Sequence, residues 1–404
     1  MDALHVFWEP AIGFVTKWTA EIIVGLIFAS VTLMWGRLKR FYLWLRKRSN
    51  ALDRARRAIN NPHGLWVFDA PISETRGPGK PPVLVVANAK GGVGKTTVSA
   101  NLAASLASRL TRPILLVDLD FQGSLSTMSI VEEVRRVPQP GQPSRAKRLV
   151  GNSLCALDLL EMPHATGLAN VQVVPAYYDL AQEENRVMLE WLIGDRDDPR
   201  FTLARLLRSP AIEQHFGLVI IDCAPRLTTG TVQALAAGSH LLIPTILDGP
   251  SGEAVAAFIS QVENFRGAGI CPTIEYVGVL ATMQMPRASY AEERRQLEDR
   301  LKDIRLPNGI APPTLLPFSL PASTDIRRAF GRGIAYSRLT GSPAARKVKQ
   351  AIDALASRVV SVVGLPTQPV APNPGPAPTP PRAPNESKRT RENFGELHQV
   401  LPAE

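Results

Sequence analysis

Six short runs of β-branched and aliphatic residues recur between about residues 80 and 285: VLVVA (83–87), ILLVD (114–118), VQVVP (171–175), LVIID (218–222), HLLIPTI (240–246) and YVGVLAT (276–282). Most are continuous rather than alternating, the pattern of strands covered on both faces. Helix-like stretches separate them, such as TTVSANLAASLASRL (96–110) and SGEAVAAFISQVENF (251–265). Strand–helix alternation predicts an α/β fold, a mainly parallel sheet with right-handed crossovers and helices on both faces. Ligands in such sheets bind at the carboxyl ends of the strands.

The most apolar part of the chain lies outside this region. AEIIVGLIFASVTLMWG (Ala20–Gly36) carries one acidic residue at its edge and none inside. As a helix it spans about 26 Å. Trp18 and Trp35 flank it, and RLKRFYLWLRKR follows. A buried core helix has no reason to end in cations and aromatics, and a signal peptide carries its positive charge before the apolar run. The expectation is a single-pass transmembrane helix over about 20–36, with an interfacial helix as the rival. The positive-inside rule then puts the inner membrane at the N-terminal helix and everything after Arg37 in the cytoplasm.

That placement accounts for most of the charge. The chain carries +10 overall, yet nine basic residues face only Asp53 between Arg37 and Arg57. The rest is mildly basic, so net charge alone does not imply a nucleic-acid partner. The three cysteines (Cys155, Cys223, Cys271) are widely spaced, which excludes a disulfide framework or a Cys/His zinc site. Pro366 to Pro384 is nearly half proline and predicts an extended tail. Val137 to Arg148 (VPQPGQPSRAKR) looks like a loop. The expected organisation is an N-terminal segment (1–36), a basic juxtamembrane linker (37–80), an α/β domain (81–364) and the tail (365–404).

The chemistry is concentrated in NAKGGVGKTT (Asn88–Thr97), which follows the first strand run directly. Gly91, Gly92 and Gly94, with Val93 between them, let the backbone turn tightly and aim N–H groups at phosphate oxygens. A helix starting near Thr96 and Thr97 adds its partial positive charge. Lys95 can reach the terminal phosphates, and the Thr96 hydroxyl can ligate Mg²⁺. The slot six residues before Lys95, usually glycine, is Ala89. The loop holds a second lysine, Lys90. The spacing predicts Asp118 and Asp120 at the end of one strand and on the same face, since residues two apart share a face, and Asp222 at the end of another. A strand-terminal aspartate beside a phosphate loop can hold Mg²⁺ through water, and another can orient the attacking water.

These residues carry a family resemblance. KGGVGKTT, with a lysine before the double glycine, resembles the deviant Walker A motif of the ParA/MinD/Soj P-loop ATPases. VDLDFQGS resembles their VDLDPQGN, VVPAYYDLA resembles IPSNIDLA, and GLVIIDCAPRL resembles the Walker B segment YIIIDCPPSL. GVLATMQMPR is similar to GVLLTMYDSR, and the resemblance covers roughly residues 82 to 350. It implies a homodimer sandwiching two Mg-ATP, with Lys90 reaching the partner's nucleotide and Lys95 serving its own. It also implies Asp120 as the water-positioning residue, Asp222 as the Mg²⁺-side carboxylate and Asp118 as a supporting group.

Departures limit the transfer. Phe121 replaces the proline after Asp120, and LLPFSLPASTDIRRAFGRG replaces IPRNVRLSEAPSHGKPI, which leaves the adenine contacts open. Arg327, Arg328, Arg332 and Arg338 form either a non-specific DNA contact or a solvated face. The function expected is a membrane-anchored ATPase whose dimer switches with nucleotide, hydrolyses ATP slowly, and positions or recruits a DNA or protein partner, with an activating protein still to be identified. One alternative is a bacterial tyrosine-kinase-like membrane ATPase, which argues poorly with a chain lacking tyrosine after Tyr336. The other is a binding module that holds ATP without hydrolysing it.

Overall fold

The computed structural model describes residues 5–61, 64–67, 81–130, 142–161, 164–285, 290–304, 306, 312–329 and 333–367. The proline-rich tail beyond 367 and Arg332 lie outside these.

Helix α1 (His5–Ile59) precedes the α/β domain. Strand β1 (Val83–Val86) runs into α2 (Lys95–Ala107), β2 (Ile114–Leu119) and α3 (Ser124–Ser129). The next part is α4 (Arg145–Val150), α5 (Ala156–Glu161), β3 (His164–Ala165), β4 (Val171–Val174) and α6 (Asp179–Leu192). Then come α7 (Thr202–Leu207), α8 (Pro210–His215), β5 (Leu218–Cys223), α9 (Thr229–Ala237), β6 (His240–Ile246) and α10 (Gly249–Gly267). The domain closes with β7 (Glu275–Gln284), α11 (Ala291–Asp303), β8 (Leu315–Pro321), α12 (Thr324–Ala329) and α13 (Pro343–Val363).

The strands form one sheet in the order β3-β4-β2-β5-β1-β6-β7-β8. All neighbours are parallel except the short β3, which runs antiparallel to β4. Strict alternation divides the side chains between two cores. Val83, Val85, Val219 and Ile221 face α9 and α10, while Leu84, Val86, Leu218 and Ile220 face α2 and α13. β1, β2 and β5 are buried at every residue, which is why they read as unbroken apolar runs. β5 sits between β1 and β2, so the strand order reverses beside β1 and opens a crevice at the carboxyl ends of these three strands.

Three expectations need correction. Among the described residues, no helix is long and apolar enough to cross a membrane. α1 is long enough, at 55 residues, but its charge-free stretch between Glu21 and Arg37 is only 15. That rises about 22 Å, against a hydrocarbon core of about 30 Å. The single-pass anchor is therefore overturned, and with it the membrane placement of the domain and the cytoplasmic assignment built upon it. The basic segment after Arg37 is not a separate linker either, because α1 continues through it to Ile59. Finally, residues 145–148 are not loop: Ser144 caps α4 by accepting from the Lys147 N–H.

The end of α1 is fastened to the domain. Asn61 Nδ2 donates to the Val67 carbonyl at 2.5 Å. Trp66 stacks on Trp191 of α6, with centroids 5.3 Å apart and planes 5° from parallel. Arg200, 2% exposed, donates to the Trp66 carbonyl at 3.2 Å and pairs with Asp198 at 2.6 Å. Its buried charge is thus compensated, as burial requires.

Candidate functional site

The loop between β1 and α2 is built on glycines at positive φ. Gly92 has φ 73° and Gly94 φ 83°, a region closed to most side chains, and Gly94 is the residue before the first turn of α2. Val98 N–H donates to the Gly94 carbonyl at 2.9 Å, so the helix begins within the loop. Val93 is fully buried and pins the loop from beneath. Gly91 and Gly92 stay exposed.

Side chains outside the motif hold this shape. Asn88 bridges the loop to β6, donating to the Pro244 carbonyl at 2.8 Å while accepting from the Lys90 N–H at 3.0 Å. The Thr282 hydroxyl, on β7, lies 2.8 Å from the Val93 carbonyl and 3.0 Å from that of Thr245. Met283, at φ 54°, places its methyl against Gly94. The strained bulge of β7 thereby borders the loop, as strain often borders functional sites.

The two lysines occupy different surroundings. Lys95 is 7% exposed and its Nζ donates to the Lys90 carbonyl at 3.1 Å, folding back across the loop. Burial lowers its pKa, with the nearby Asp222 carboxylate opposing. Lys90 points away from the glycines. Its Nζ lies 3.2 Å from both oxygens of Asp248 and 2.5 Å from the Ser251 hydroxyl. Asp248 is the N-cap of α10 and accepts the Ser251 N–H at 2.6 Å.

The carboxylates stand in register across the sheet: Asp118 of β2 pairs with Asp222 of β5. Both are buried, which pushes Asp118 up to about 8 and Asp222 up to about 7. Repulsion from Asp222 adds to the rise at Asp118, whereas Thr96, Lys95 and Ser99 pull Asp222 back down. The oxygens of Asp118 are all used locally: Oδ1 accepts the Asp120 N–H at 3.0 Å, and Oδ2 accepts the Ser126 N–H at 2.9 Å and its hydroxyl at 2.7 Å. Asp118 therefore shapes the β2–α3 turn. Asp120 lies beyond the strand end, half-buried, rather than on a shared strand face with Asp118. Its Oδ1 accepts the Gln122 N–H at 3.0 Å.

Asp222 differs. Oδ1 accepts the Ser99 hydroxyl at 3.2 Å, but Oδ2 is buried with no hydrogen-bond partner. An orphaned, buried carboxylate oxygen beside Thr96 and Lys95 is what a hydrated Mg²⁺ on a phosphate chain would satisfy. The residues present thus fit Mg-nucleotide. Backbone N–H groups of the glycine loop and Lys95 would hold phosphate, Thr96 would ligate the metal, and Asp222 would hold a metal-bound water.

Sequence reasoning located Lys90, Lys95, Thr96 and the carboxylates. It missed Asn88, Thr282, Asp248 and Ser99. Asp248 was findable: Asp-Gly-Pro-Ser before an apolar helix is an N-cap with proline in the first turn. Arg327 and Arg328 are exposed on α12, and Arg338 is exposed in the 3₁₀ turn Ala335–Arg338 that follows it.

Comparison with known proteins fits this geometry. A family model described as "AAA domain" matches residues 82–273. The chromosome partitioning protein ParA of Myxococcus xanthus is 34% identical over 215 residues, covering 52% of this chain and 68% of that protein. The chain belongs to the ParA/MinD family of P-loop ATPases. The chromosome-partitioning ATPase Soj of Thermus thermophilus is 32% identical over 210 residues, 52% of this chain and 72% of Soj. Among solved structures, cobyrinic acid a,c-diamide synthase from Mycobacterium smegmatis, with bound ATP analog and magnesium, superposes with a TM-score of 0.52 at 25% identity. That match covers 71% of this chain and 99% of the synthase. In this ParA-like chain, the family supplies the identity of the loop, and the arrangement around Asp222 the local chemistry.

Proposed function

We propose that this protein is an ATPase whose Mg-ATP-bound form is a homodimer, with slow hydrolysis returning it to the monomer. The observation that carries this is the unpaired Oδ2 of Asp222, buried beside Lys95 and Thr96 at the mouth of the glycine loop. Lys90 supports the dimer. It is held by Asp248 and Ser251 rather than by its own phosphate loop, and once released from them it serves a neighbouring subunit's nucleotide. A cation supplied in trans neutralises phosphate charge as an arginine finger does. Asp120 orients the attacking water. The output is positioning or recruitment of a partner, with Arg327, Arg328 and Arg338 offering a non-specific DNA contact and a separate protein accelerating turnover.

Two measurements test this on the full chain. Wild type should become dimeric with Mg-ATP and not with ADP, and Lys90→Ala should stay monomeric. Hydrolysis should fall to background in Lys95→Ala and Asp120→Ala. Equal rates in all three proteins would refute the enzymatic assignment, and a wild type monomeric with ATP would refute the switch.

A further inference from the structure

Three positions at which the chain departs from its family's motifs meet in space. Phe121 stands where VDLDPQGN has proline, Tyr178 where IPSNIDLA has isoleucine, and Arg226 where YIIIDCPPSL has serine. They follow the carboxyl ends of β2, β4 and β5 respectively. Phe121 and Tyr178 pack edge to face, with centroids 5.8 Å apart and an interplanar angle of 83°. The Arg226 guanidinium carbon lies 5.5 Å from the centroid of the Phe121 ring.

The placement is informative. Phe121 follows Asp120 directly and is packed against the core. Arg226 lies four residues after Asp222, and its neighbour Pro225 sits 3.7 Å from where a Cβ on Gly91 would be. The β5–α9 loop thus touches the phosphate loop at one residue and the Asp120 turn at the next. Among the described residues, the Arg226 guanidinium makes no hydrogen bond or ion pair, although Glu184, which senses its charge, also senses that of Asp120. The side-chain contact of Arg226 is the stack on Phe121, the residue directly after Asp120.

We propose that Arg226 is a positioning residue: stacked on Phe121, it joins the Asp120 turn to the loop carrying Asp222, so that both sides of the phosphate pocket hold one geometry. Tyr178 packs edge to face with the same ring. Arg226 acts on hydrolysis through Phe121 and Asp120, and leaves nucleotide affinity alone. This rests on the ATPase assignment above.

The test compares full-length wild type with Arg226→Ala, Arg226→Lys, Phe121→Leu and the Arg226→Ala/Phe121→Leu double variant. Steady-state ATP hydrolysis and Mg-dependent binding of a fluorescent ATP analogue are both read. Loss of an exposed cation–π contact corresponds to a fall in kcat of about two- to fivefold in Arg226→Ala and in Phe121→Leu. KM and analogue affinity should hold, lysine should restore most of the rate, and the double variant should fall no further than the worse single. Weakened analogue binding in Arg226→Ala with Phe121→Leu unaffected would show a direct phosphate contact and overturn the proposal. So would additive losses, or unchanged rates throughout. A wild type that binds the analogue without turnover would instead overturn the ATPase assignment, an outcome readily told apart.

Discussion

Releasing Lys90 is the step on which the proposed switch turns, and its size can be worked from the structure. Lys90 Nζ makes two 3.2 Å contacts with Asp248 and one of 2.5 Å with the Ser251 hydroxyl. The ion pair is partly solvated, with side-chain exposures of 30% and 43%, so solvent screening holds it to about 0.5–1 kcal/mol. The hydroxyl contact adds about 0.5–1.5 kcal/mol. Freeing one lysine therefore costs about 1–2.5 kcal/mol, roughly a five- to seventyfold shift in the free fraction. Asp248→Asn keeps an oxygen to cap the Ser251 N–H of α10 while removing the charge that holds the lysine. In an Asp120→Ala background, expected on the proposed mechanism to slow turnover, Asp248→Asn should dimerise at several-fold lower ATP or protein concentration, as read by analytical ultracentrifugation. Lys90→Ala should not dimerise under either condition. If Asp248→Asn fails to dimerise just as Lys90→Ala does, the ion pair is part of the assembled state and the release argument is wrong.

Other outcomes follow from the same geometry. Asp118 and Asp222 bind protons more tightly in the folded than in the unfolded chain, so their burial is tolerated below about pH 4 and opposes folding as pH rises through 7 to 8. The melting temperature without Mg²⁺ should therefore decline from about pH 5 to 8, Asp118→Asn should flatten that slope, and a slope equal to wild type would contradict the buried-pair account. Gly123 has φ 61°, and a Cβ there would lie 2.7 Å from the Ala176 carbonyl oxygen. Gly123→Ala should cost about 1–3 kcal/mol and shift the Asp120 turn, measurable by urea unfolding, with a neutral result refuting the close approach. Trp66→Ala removes a buried stacked ring, and limited proteolysis should then cut between α1 and the domain faster than in wild type.

How far the sequence revealed this molecule depends on where the determining force is local. The six apolar runs became β1, β2, β4, β5, β6 and β7 because burial on both faces leaves a mark every strand must carry. β8 escaped because an edge strand tolerates Pro317 and Pro321, which reads as loop in one dimension. The anchor expectation failed through length, since Glu21 and Arg37 bound a stretch too short for a bilayer. Within the site, the glycines were legible because backbone conformation restricts residue type, and the lysine count was legible because the spacing is fixed. The roles of the carboxylates were not equally legible. Asp118 and Asp222 both end strands, yet one has every oxygen occupied by its own turn and the other keeps an oxygen unpaired. That difference comes from Ser126, eight residues after Asp118, and from Ser99, 123 residues before Asp222. Each aspartate has one hydroxyl partner, and the β2–α3 turn gives Asp118 two backbone N–H donors besides, which leaves only Asp222 with an unpaired oxygen. In this chain, then, residue type marks the pocket, and the unpaired oxygen of Asp222 is what sets it apart from Asp118.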